Sequence, residues 1–199
     1  MTPRKPAARI KRVTPMFEGF LTINSYRLEV DRHQGGVYEV ERLVMERGHA
    51  VGVLGYDPVR DEVVLANELR PGMLAAGDGA FADNLVAGGV GSGESIIDAA
   101  VREMKEETGL ALRDPFVVHP GAFVSSGGTS EKIAIVVGFV DTSQAGGVHG
   151  HPDEGEDILT VVLSADEFIA RVRNAEIKDL KTLVAGYWLA ENRDKLRRT

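Results

Sequence analysis

Residues 88–110, GGVGSGESIIDAAVREMKEETGL, restrict what this chain can become more than any other stretch. Gly88, Gly89, Gly91 and Gly93 let a backbone turn tightly and approach a ligand closely, so a glycine-rich loop feeding a helix is expected. Ser95 stands where that helix would begin, with Glu94 and Asp98 placed to favour the positive end of its dipole. Ile97, Ala100, Val101 and Met104 recur at helical spacing and predict one inward face. Glu103, Glu106 and Glu107 share a different face, and Gly109 is a stop. Carboxylates clustered on one face beside such a loop suit hard divalent cations. A merely solvated amphipathic helix would also be rich in Glu and Lys, but would need neither the glycines nor the arginine.

At 199 residues the chain has room for one substantial domain, or one domain with a small appendage. Its formal charge of -7 argues against a general nucleic-acid binder, which would show a basic face. The absence of cysteine excludes disulfides, thiolate catalysis and cysteine-ligated zinc. No apolar run is long enough to span a bilayer and no signal-peptide pattern is present, so no membrane partner and a cytoplasmic location are expected.

Residues 2–12 are basic and contain proline, and read as a frayed start. Residues 20–30 and 37–45 read as two strands joined by a turn at 31–36, a hairpin that needs a partner surface. Two further strands follow at 50–54 and 63–68, and Arg70 stands at a strand end from which a guanidinium can reach phosphate. Residues 72–83, small and aperiodic, read as a long loop. Beyond residue 110, strands are expected at 116–125, 132–141 and 158–163, with a glycine- and acid-rich loop at 144–157. Helices close the chain at 165–173 and 179–196. In the second, Leu180, Val184, Tyr187, Trp188 and Leu189 form the expected apolar face, with Trp188 in core or interface. His149 and His151 without a third clear ligand are weak evidence for zinc.

The spacing from Gly88 through Glu94, Arg102, Glu103, Met104, Glu106 and Glu107 to Gly109 and Leu110 resembles the Nudix box at every specified position. The segments SSGGTSE and DEGED extend that resemblance to the ADP-ribose pyrophosphatase branch of the Nudix hydrolases. The resemblance implies an α/β fold, the Nudix α/β/α sandwich with mixed β-sheets plus a small N-terminal β-hairpin region. Residues 1–47 would then serve dimerisation by exchange between protomers, and residues 48–199 would form the hydrolase domain. It implies Mg²⁺, with Mn²⁺ as a substitute, held by the Ala87 carbonyl, Glu103, Glu106, Glu107 and Glu156. Glu154 is implied as the catalytic base, with Glu156 beside it and Arg102 orienting Glu106. Substrate contacts carried over are Phe20 on adenine, Arg42 reaching across a homodimer, Arg70, and Glu131. The reaction implied is hydrolysis of ADP-ribose to AMP and ribose 5-phosphate. Where the branch has proline this chain has Ser126, which opens a second reading, hydrolysis of another nucleoside diphosphate sugar such as GDP-mannose. A non-catalytic ADP-ribose sensor is a third; such domains commonly lose box carboxylates, and this chain retains all of them.

Overall fold

The computed structural model describes residues 6–197, with Glu154 described for its backbone alone. They form two compact units. One holds the chain up to His49 together with Phe123–Lys132; the other holds Ala50–Ala122 and the chain from Ile133 onward.

The first unit carries an antiparallel sheet in the order β1 (Ala8–Glu18), β2 (Thr22–Asp31) and β3 (Val37–Glu46). The hairpin expected from sequence is therefore the β2–β3 half of a three-stranded sheet. β1 takes in part of the basic run read as a frayed start. Its charges are paired there: Arg9 and Lys11 reach Glu29 at 3.0 and 3.6 Å. Pro15, opposite Asn24, falls at a shift in the β1–β2 register, the kind of irregularity to which strand prolines are confined. Phe20 lies in the bend before β2 rather than in a strand. Residues 123–132 return to β3, where the Met45 amide donates to the Gly128 carbonyl at 2.9 Å.

The second unit comprises β4 (Ala50–Asp57), β5 (Glu62–Leu69), α1 (Pro71–Ala75), β6 (Phe81–Asn84), β7 (Val86–Gly89) and α2 (Ile96–Thr108). It continues with β8 (Arg113–Phe123), β9 (Lys132–Phe139), β10 (Val148–His149), β11 (Ile158–Ser164), α3 (Ala165–Arg173) and α4 (Leu180–Leu196). Strand order is β10–β11–β5–β4–β9–β8, with β6 added to β5 and β7 to β4. β4 runs parallel to β9 and antiparallel to β5, so the sheet is mixed. Side-chain alternation gives the central strands β4 and β5 two buried faces. Val51, Val53, Val64 and Ala66 pack with Ala99, Ala100 and Met104 of α2. Leu54, Tyr56, Val63 and Leu65 pack with Phe168 and Val172 of α3 and Leu189 of α4. Burial on both sides is why these strands read as near-continuous apolar runs. The result is an α/β/α sandwich.

Three local expectations need correction. Residues 72–83 are not one structureless loop: α1 starts on Pro71, a residue suited to the first turn, and β6 pairs with β5 from Leu69↔Phe81 to Ala66↔Asn84. In α2, Val101 is 39% exposed; the inward side is Ala99, Ala100 and Met104 together with Glu103 and Glu107, so acids occupy part of the buried face. In α4, Leu180, Val184 and Tyr187 are exposed, and the inward residues are Thr182, Ala185, Gly186 and Leu189. Gly186 is required there because a Cβ would stand 2.5 Å from Val172 of α3. Trp188 is half-buried against the core, its ring centroid 5.8 Å from that of Phe116. Among the described residues, no helix is long and apolar enough to cross a membrane.

Candidate active site

The site is built on two adjoining pieces of backbone, β7 and the start of α2. β7 pairs with β4 from Ala50↔Gly89 to Val53↔Val86, so Gly88 and Gly89, expected in a loop, belong to the sheet. A Cβ on Gly88 would lie 1.9 Å from Glu103 Oε1, which means the Glu103 carboxylate rests directly on the strand. Ser95 caps α2 by accepting from the Asp98 amide at 3.1 Å. Gly109, in the left-handed region at φ 71°, ends it. Both termini are where the sequence puts them.

Arg102 is the hub of the box. Its Nε and Nη2 reach the two Glu94 oxygens at 2.9 and 3.1 Å, a bidentate pair. Nη1 donates to Glu103 at 2.7 Å and Glu106 at 2.9 Å, and Nη2 also donates to the Gly89 carbonyl at 2.9 Å. Arg102 thus holds Glu106, and Glu103 and Glu94 with it. Its hydrogen bonds and that from the Gly91 amide hold the Glu94 carboxyl down to about 2. Glu94 serves as the anchor of this arginine at the helix start.

Glu103 and Glu107 are one helical turn apart and nearly buried, at 8% and 4% exposure. Burial pushes the Glu107 carboxyl up to about 9, and the charges of Glu68 and Glu103 push it the same way; the Ala87 amide and Arg70 oppose them. Burial raises Glu103 as well, against Arg102. Among the described residues, no three histidines or acids form a group that could hold a metal as they stand. The donor chemistry nevertheless fits a hard divalent cation. Buried carboxylates that disfavour one another's ionisation, beside a main-chain strand end, are what such a cation relieves.

The loop before β11 lies against the C-terminal end of α2. The Gly150 amide donates to the Glu106 carbonyl at 3.3 Å, and His151 Nε2 stands 3.8 Å from Glu106 Oε1. Glu156 accepts from the His151 amide at 3.0 Å. His149 packs on Gly109 and meets the Gly146 carbonyl at 2.8 Å, so the two histidines do not converge as zinc ligands. Glu154 ends a short 3₁₀ turn, Pro152–Glu154, and its side chain lies outside the described residues.

Of the expected substrate contacts, Arg70 belongs to this unit and pairs with Glu68. Phe20, Arg42 and Glu131 belong to the other unit. Phe20 is 91% exposed with Arg47 5.8 Å over its ring, and Arg42 donates to the Glu41 carbonyl at 2.8 Å. Glu131 is buried, 3.7 Å from Arg47. Sequence reasoning missed Glu68 altogether; the signal was its place two residues before Arg70 on the same face of a strand.

Residues 46–183 match the NUDIX domain family. The chain is 37% identical over 183 residues to an ADP-ribose pyrophosphatase of Escherichia coli K12, covering 92% of this chain and 87% of that protein. It is 30% identical over 189 residues to an ADP-ribose pyrophosphatase of Haemophilus influenzae, covering 92% and 86%. A GDP-mannose pyrophosphatase of Pectobacterium atrosepticum is 28% identical over 166 residues, covering 81% and 83%. Among solved structures, an ADP compounds hydrolase matches with a TM-score of 0.72 over 99% of both chains, at 21% identity.

Proposed function

This chain belongs to the Nudix family, and from that premise we propose that it hydrolyses the diphosphate of ADP-ribose to AMP and ribose 5-phosphate. The observation that carries the proposal is the buried pair Glu103 and Glu107, pressed against β7 with too little positive charge around them.

A diphosphate resists attack because its oxygens are already negative. The Ala87 carbonyl, Glu103 and Glu107, with Glu106 and Glu156 adjoining, would hold Mg²⁺, or Mn²⁺ in its place, which would supply Lewis-acid neutralisation of that charge. Arg102 fixes the carboxylates so that little reorganisation is needed at the moment of reaction. Arg70 binds a phosphate oxygen. Glu154 takes the proton of the attacking water as oxygen bonds to phosphorus and the anhydride P–O bond breaks. Phe20 stacks on the adenine, Glu131 contacts the substrate, and Arg42 reaches the site of a second protomer in a homodimer. Exposed Ile10, Met16, Phe17 and Leu43 on the three-stranded sheet support such an association. The protein acts in the cytoplasm on a small nucleotide, with neither nucleic acid nor membrane as partner.

The test compares release of AMP from ADP-ribose with Mg²⁺ present and chelated, for the wild type and Glu107→Gln. Turnover is expected to fall about a hundredfold or more in the variant with ADP-ribose binding largely kept. Unchanged turnover ends the metal assignment. Ser126 and the similarity to GDP-mannose pyrophosphatases give the second reading its weight. The same assay on a panel of nucleotide sugars, compared by kcat/KM, decides it: GDP-mannose ahead of ADP-ribose replaces the first reading with the second.

A further inference from the structure

Arg70 is fixed more thoroughly than a surface arginine needs. Its amide donates to the Ala80 carbonyl at 2.7 Å, and its own carbonyl accepts from the Met73 and Leu74 amides at 3.0 and 3.1 Å. Its side chain is three-quarters buried and its guanidinium meets two further groups. Nη2 faces Glu68 Oε1 as an ion pair. Nε donates to Asn84 Oδ1 at 2.8 Å when the Asn84 amide is turned to satisfy both of its ends, its nitrogen then donating to the Asp83 carbonyl at 3.2 Å.

The pairing of β5 with β6 makes this cradle. Asn84 lies opposite Ala66, two residues from Glu68 on the same face, so all three side chains leave the sheet on the side of α2. Asn84 is buried at 2% exposure, and the Glu68 side chain is 17% exposed. Buried Glu68 Oε1 and Arg70 Nη2 meet outside hydrogen-bond geometry, and neither has another partner among the described residues. Nη2 carries two N–H groups, and leaving the one not turned to Glu68 without an acceptor is costly. A phosphate oxygen would supply that acceptor.

We propose that Glu68 and Asn84 are positioning residues that aim the Arg70 guanidinium at the substrate diphosphate, Glu68 through charge and Asn84 through the Nε hydrogen bond. The proposal rests on the reading of Arg70 as the phosphate-binding arginine. Neither residue touches substrate. Both act by removing rotamer freedom that Arg70 would otherwise lose on binding.

The test is a pair of double-mutant cycles, run on whichever nucleotide sugar of the panel the wild type hydrolyses, so that the identity of the sugar does not decide it. Glu68→Gln and Asn84→Leu are each expected to raise KM about tenfold with kcat within about threefold, the pattern of lost uniform binding. Asn84→Asp, which keeps an acceptor for Nε, is expected to restore KM to near the wild-type value. In an Arg70→Ala background each substitution should add less than about twofold, because the residue through which it acts is gone. Mn²⁺ affinity, followed by electron paramagnetic resonance with the metal alone, should stay at the wild-type value in Asn84→Leu, which removes no charge. Additive effects on KM, or weakened Mn²⁺ binding in Asn84→Leu, overturn the proposal and leave the hydrolase reading standing. If Arg70→Ala itself leaves KM unchanged, the phosphate-binding role of Arg70 fails and the proposal falls with it. Should Asn84→Leu unfold, Glu68→Gln decides alone.

Discussion

Gly88 shows what a single residue does here. The sequence marks it as a place where backbone comes close to something, and the structure identifies that neighbour as the Glu103 carboxylate, 1.9 Å from where a Cβ would stand. Gly89 beside it has open space at the same position. Gly88→Ala is therefore expected to displace Glu103 and lower turnover about a hundredfold, since small misplacements of catalytic groups cost that much. Because a flexible side chain is what yields, the thermal midpoint should stay near that of the wild type. Gly89→Ala should keep turnover within about threefold. Equal losses in the two variants, measured by steady-state kinetics, would show that backbone freedom and not the carboxylate sets the requirement. The residues of the box were legible because their spacing along one helix is itself the geometry. Glu68 and Asn84 were not, because only the register between β5 and β6 brings them to Arg70.

At the level of elements, the bounds of α2 and α3 were readable, α2 from its capping residue Ser95; α3 is capped by Ser164, to which sequence reasoning gave no role. The face of α4 was not. Its apolar residues lie partly in solvent, and beside Leu189 the buried side holds Gly186, which packs on Val172 and Phe168 of α3, and Thr182, whose hydroxyl accepts from the Leu85 amide at 3.0 Å. α4 is instead tied at its C-terminal end by charge. Arg193 pairs with Asp61 and Asp166, and Asp61 also accepts from Tyr56 Oη at 2.6 Å. The Arg193 hydrogen bond and that from Tyr56 hold the Asp61 carboxyl below its usual range, against its burial. Asp61 sits at φ 59°, a conformation asparagine tolerates well. Asp61→Asn thus isolates the charge, and should lower stability by about 1–2 kcal/mol in urea denaturation. Turnover should be unchanged, since no described side chain of the site touches Asp61. No change in stability would mean that the ion pairs on α4 are neutral overall.

For the molecule as a whole, the response to acid follows from Asp57, which is 2% exposed. Burial alone would raise its carboxyl, but the amides of Arg60, Thr142 and Val59 and the Thr142 hydroxyl outweigh that and hold it down to about 2. The folded value lies below the unfolded one, so the stabilisation is complete above about pH 4 and is lost as pH falls towards 2. Its size is about 2 kcal/mol at roughly 1.4 kcal/mol per unit. Asp57→Asn should be less stable than the wild type by about that amount at pH 7, the gap narrowing to roughly a third of it at pH 2.5. A gap undiminished at pH 2.5 in urea titrations would mean that the amide lacks the carboxylate's partners for reasons of shape, not charge. The sheet carries one more consequence. Ala50 of β4 lies alongside Ile133 of β9, so the middle of the sheet closes on a strand synthesised about eighty residues later. Until then Val51 and Val53 have no lateral neighbour on that edge, and a chain emerging from the ribosome waits, sticky and unfinished, for its own second half.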